Sequence, residues 1–130
     1  MSQSFRPLFA ALSGAAALVL ASCSPDVGPT GTTCPPEGTQ LTAANFGTAF
    51  FTNYCTRCHS SQLSGAAKRH GAPADSNFDT LEGVRSHAAD IDAWAGAGPA
   101  RVNAVMPGGN PGPSEDERRQ LSLWLACGAP

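Results

Sequence analysis

The sequence has little charge and no concentration of positive charge. Lys and Arg number 8 against 10 Asp and Glu, for a net charge of −2. A nucleic-acid-binding surface is marked by a basic patch, so no nucleic-acid partner is expected. No alternating polar–apolar run of useful length is present and no segment repeats, which argues against a strand-built domain or a repeat array. The apolar run from Leu8 to Leu20 is too short to cross a bilayer comfortably as a helix. Methionine is nearly absent, with only Met1 and Met106. No motif gathers Ser, His and Asp into a nucleophile–base set, so the chain is not expected to be an enzyme in its own right.

The N-terminal residues 1–22 read as a secretory signal: one basic residue, Arg6, then the apolar run. The run ends in Leu20-Ala21-Ser22-Cys23, which resembles the lipobox of bacterial lipoproteins. That resemblance implies cleavage before Cys23, lipidation of Cys23 and a periplasm-facing membrane anchor. Two or three acyl chains hold a domain stably where one is marginal. Ser24 follows rather than Asp, which slightly favours the outer membrane. Cleavage removes Arg6 and no acid, so the remaining chain is one unit more negative than the full chain's −2. Residues 23–40 hold Pro25, Pro29, Pro35 and Pro36 with several glycines and little apolar content. This composition predicts a flexible, extended tether. Residues 41–130 are then the domain.

The most informative stretch is Tyr54-Cys55-Thr56-Arg57-Cys58-His59. Two cysteines with two residues between them, followed at once by histidine, have the spacing that attaches a c-type haem. Each thiol can add to one vinyl group, and the two intervening residues bridge the vinyls. His59 is then carried beneath the iron as the proximal ligand. A redox dithiol would want a βαβ context, and a zinc site would want a second Cys/His pair nearby. Neither is found. Of the five cysteines, Cys34 and Cys127 remain. An exported, oxidising compartment permits a bridge between them, and the alternatives are two free thiols or a bond to another chain.

The rest of the chain predicts three to four helices. Leu41 to Tyr54 carries an apolar stripe, Phe46, Phe50 and Tyr54, with Thr42 as its cap. Residues 60–76 read as loop. Asp79 with Glu82 has capping-box spacing, ahead of a helix carrying Leu81, Val84, Ala88, Ile91 and Trp94. Residues 99–105 suggest a short helical turn, and the Pro/Gly stretch from Met106 to Pro113 an irregular loop. Ser114 and Glu117 form a second capping box, opening a helix with Leu121, Trp124 and Leu125 on its core face.

Together these features resemble class I cytochrome c: a helix, the Cys55-x-x-Cys58-His59 motif, loops, Met106-Pro107 and a final helix. Gly47 and Phe51 on the first helix, and Leu121 and Trp124 on the last, match the family's helix crossing. The resemblance implies a small all-α haem domain with one covalent haem c. It also implies Met106 as the distal iron ligand opposite His59. His70 and His87 are the rival ligands, each otherwise read as solvated. The family orients its proximal histidine through a backbone carbonyl of a proline-containing loop, for which Ala72-Pro73 is the candidate. Trp94, Arg85 and Arg101 are candidates for the haem propionates. The implied function is single-electron transfer between redox protein partners in the cell envelope. The alternatives are a haem-based sensor or small-ligand binding module, or the haem subunit of an envelope oxidoreductase.

Overall fold

The structure is a computed structural model that describes residues 25–130. The expected signal segment and Cys23 lie outside the described residues. Among the described residues there are four α-helices and no strands: α1 (Thr48–Tyr54), α2 (Leu81–Ser86), α3 (Ala88–Ala95) and α4 (Glu115–Ala126).

Thr42 caps the first helical segment through a reciprocal pair with Asn45. Its Oγ1 accepts from the Asn45 amide (3.1 Å) and its own amide donates to Asn45 Oδ1 (2.7 Å). The segment opens as a wide π turn, Ala43–Gly47, before tightening into α1. That turn lies where α4 crosses. A methyl group on Gly47 would sit 2.6 Å from the Trp124 ring, so only glycine permits the approach. Phe46 and Phe51 flank the crossing, with centroids 6.0 and 6.1 Å from Trp124. Leu121 and Trp124 are almost fully buried there. Tyr54 Oη donates to Glu117 Oε1 (3.0 Å), tying the far end of α1 to the first turn of α4. Glu117 also completes the expected capping box with Ser114.

The middle helix departs from the sequence reading in two ways. Its cap is Thr80, whose Oγ1 accepts from the Gly83 amide (3.1 Å), and not Asp79. Asp79 instead accepts from the Ser61 amide, closing the loop after the haem-type motif. The helix is also broken at His87 (φ −114°, ψ 15°). The cause is local competition for one carbonyl: Ser86 Oγ (2.9 Å) and His87 Nδ1 (3.0 Å) both reach Gly83 O. The backbone N–H of His87 bonds Val84 O instead.

Residues 99–105 form no helical turn. Gly98 N bonds Arg101 O (2.9 Å), and Ala97 pairs with Val102 in an isolated bridge.

The segment expected to be a free tether is extended, as its Pro and Gly content implies, but much of it is docked. Thr30 is fully buried. Its amide and hydroxyl both donate to the Asp92 carboxylate (2.9 and 2.8 Å), and its carbonyl accepts from Ala100 N (2.8 Å). Asn103 Nδ2 donates to Gly28 O (2.7 Å). Polar contacts hold this arm, so its lack of apolar residues did not reveal it. A disulfide joins Cys34 to Cys127 at the end of α4 (Cα–Cα 4.8 Å).

Candidate functional site

The Cys-x-x-Cys-His stretch continues α1 as a tight turn. Cys55 N and Thr56 N both donate to Phe51 O (2.9 and 3.0 Å), and Cys58 N and His59 N both donate to Cys55 O (3.0 and 2.9 Å). Cys55 and Cys58 are half-buried and carry free thiols. Burial pushes the Cys55 thiol up to about 12. That direction disfavours the thiolate that redox or metal chemistry at Cys55 would use. Among the described residues, no three His, Cys, Asp or Glu side chains gather into a metal cage.

His59 is half-buried and held on one side. Its Nδ1 lies 3.1 Å from Ser76 O. A carbonyl only accepts, so Nδ1 carries the proton and the Nε2 lone pair is left free. Burial also lowers the imidazole pKa, favouring the neutral form that binds metal. The ring stacks on Phe78 (4.6 Å, 13°). The orienting carbonyl is that of Ser76, not of Ala72 or Pro73. The Ala72 and Pro73 carbonyls are taken by the Arg69 guanidinium.

Met106 is fixed through its backbone and free at its side chain. Its N–H donates to Trp94 O (3.0 Å) and its carbonyl accepts from Arg118 Nη1 (2.6 Å). Its side chain is among the exposed large apolar groups. The loop that follows is held from the cysteine turn, where Arg57 Nη2 donates to Gly108 O (2.7 Å).

His59 and Met106 line one cavity of about 300 Å³, whose wall is completed by Phe78, His87, Ile91 and Trp94. The fold therefore brings both expected axial ligands to a single apolar space. An imidazole with a free Nε2, a thioether, an apolar wall and two free thiols in the adjoining turn fit a covalently attached haem. His70 is exposed on the loop and does not line this space. His87, expected to be solvated, is half-buried and does line it. Of the propionate candidates, Trp94 lines the cavity. Arg85 is committed to the Gly128 and Ala129 carbonyls, and Arg101 to Asp26. Sequence reasoning missed Arg69 and Arg118, buried arginines that organise the loops behind His59 and Met106. No local pattern distinguishes either from a solvated arginine.

A family model described as cytochrome c matches residues 44–127, more than half of the chain. The chain belongs to the cytochrome c family. The match spans all but the first residue of this cytochrome's π turn, its Cys55–His59 motif, Met106 and all of α4. Haem-based electron transfer is the activity the family implies, with the haem attached covalently. Searches of curated proteins and of solved structures give no match.

Proposed function

We propose that this cytochrome c is a monohaem, single-electron carrier of the bacterial cell envelope, exchanging electrons with redox protein partners. Cys55 and Cys58 are the thioether residues, His59 the proximal ligand and Met106 the distal ligand. Residues 1–22 are its signal peptide, and lipid on Cys23 holds it to a membrane facing the periplasm, with the outer membrane favoured. No helix among the described residues is long and apolar enough to cross a membrane, so an acyl anchor would supply the attachment.

When bound, the haem supplies a one-electron ferrous–ferric couple. The chain's own residues do the rest. His59 presents Nε2 because Nδ1 is held by Ser76 O. Phe78, Ile91 and Trp94 would give the haem an apolar surround, which favours the less charged, ferrous form. With an imidazole and a thioether both available to hold the iron, no position would be left for a substrate or gas, which favours a carrier over a sensor. The observation that carries the reading is the shared cavity of His59 and Met106, each anchored by its own hydrogen bonds.

The test is expression of the full chain with haem-maturation machinery, followed by mass analysis and absorption spectroscopy. One covalent haem is expected, with the weak long-wavelength ferric band that an iron–thioether bond gives. Met106→Ala should abolish that band. Because His87 lines the same cavity, a bis-histidine site is the second reading. In that case the band would be absent from the wild type, and His87→Ala rather than Met106→Ala would change the spectrum.

A further inference from the structure

Arg69 is only 4% exposed, yet it has no carboxylate within ion-pair distance among the described residues. Its guanidinium is spent on uncharged oxygens. Nε donates to Ala72 O (3.2 Å), and Nη1 to Ser60 O (2.6 Å) and Asn77 Oδ1 (2.9 Å). Nη2 donates to Pro73 O and to Ser76 O (3.0 Å). A buried cation without a counter-charge is costly. Neutral donors would tie the same loop more cheaply. What distinguishes this cation is one shared acceptor: Ser76 O also takes the His59 Nδ1 proton at 3.1 Å.

We propose that Arg69 is a positioning residue that raises the reduction potential of the haem through the Ser76 carbonyl it shares with His59. The inference rests on His59 being the proximal ligand. Two donors compete for one oxygen, and the charged one draws its electron density. The acceptor left for Nδ1–H is weaker, so the imidazole is less basic at Nε2 and gives less electron density to the iron. The cation's own charge opposes the extra positive charge of the ferric state. Both effects favour the ferrous form.

The experiment compares wild type, Arg69→Gln and Arg69→Lys, all haem-loaded, by equilibrium redox titration and by NMR of His59 in the diamagnetic ferrous protein. Arg69→Gln is expected to shift the reduction equilibrium about tenfold toward the ferric form, which is about 59 mV for one electron. The His59 Nδ1 proton should move downfield as its bond to Ser76 O strengthens. Arg69→Lys keeps the charge and should recover a substantial part of the potential. This variant keeps the proposal testable if the glutamine variant is poorly folded. An unchanged potential in a folded Arg69→Gln protein would reduce Arg69 to a loop clamp. An upfield move of the Nδ1 proton with fast solvent exchange would overturn the proposal too, because the loop would simply have opened. A wild-type His59 ring without the upfield shifts that a haem ring current imposes would sink the ligation reading itself, and this inference with it.

Discussion

The carbonyl of Met106 accepts a 2.6 Å hydrogen bond from Nη1 of Arg118, a side chain on α4 that is nearly as buried as Arg69. The same nitrogen donates to Ala95 O (2.8 Å) and Asn103 O (2.9 Å). One guanidinium thus gathers the end of α3, the loop after it and the proposed distal ligand.

Arg118→Leu should therefore cost both stability and ligation. Three carbonyls would lose their donor, two of them from buried bonds, a loss of roughly 3 kcal/mol. Denaturant titration should show this, and the ferric thioether band should weaken as the Met106 backbone is released. An unaltered band would mean that Trp94 O and the Arg57–Gly108 bond suffice to hold the loop.

At the helix crossing, Gly47→Ala would drive a methyl into the Trp124 ring, where 2.6 Å of separation leaves no room. Overpacking of this kind costs about 1–3 kcal/mol. The unfolding midpoint should fall. Pairing the change with Trp124→Leu should recover part of the loss if the clash is its source.

The disulfide closes a long loop, with Cys34 and Cys127 at a sequence separation of 93. Cys34→Ser with Cys127→Ser should cost about 2–5 kcal/mol. Because the bridge tethers the arm to α4, amide exchange at Thr30 and Thr32 should quicken before exchange in α4 does. Uniform acceleration would instead mean that the arm unfolds only with the whole domain.

Acid stability should depend in part on Glu117. The Ser114 amide, its strongest partner, holds the Glu117 carboxyl below the usual carboxylate range, and the Tyr54 hydroxyl adds to this. A depressed folded-state pKa gives stability that is present above the unfolded value, about 4.3, and lost as pH falls through the folded value. Stability measured from pH 6 down to pH 2 should thus decline less steeply in Glu117→Gln than in wild type. Identical slopes would remove Glu117 from the account.

The parts of this molecule that were legible in its sequence are those written in neighbouring residues. The Cys55–His59 spacing, the Ser114–Glu117 capping box and the placement of Gly47 against Trp124 all depend on short-range order or on a known helix crossing. The parts that were not legible depend on single polar residues acting across the chain. Thr30 finds Asp92, and composition gives no warning of it because the arm docks by hydrogen bonds and buries little apolar surface. The break at His87 follows from two side chains contending for Gly83 O, a contest that helical periodicity does not register. Arg69 and Arg118 look like any surface arginine until the loops fold over them.

The docking of the arm sets a limit on travel. If lipid holds Cys23, at most the stretch from Cys23 to Gly28, where Asn103 takes hold of the chain, separates the lipid from the docked arm. At about 3.5 Å per residue it reaches less than about 18 Å. On the proposed anchoring, a carrier moored so closely could not ferry charge across the compartment. It would work as a relay near the bilayer surface, and its redox partners would have to be membrane neighbours or diffuse to it.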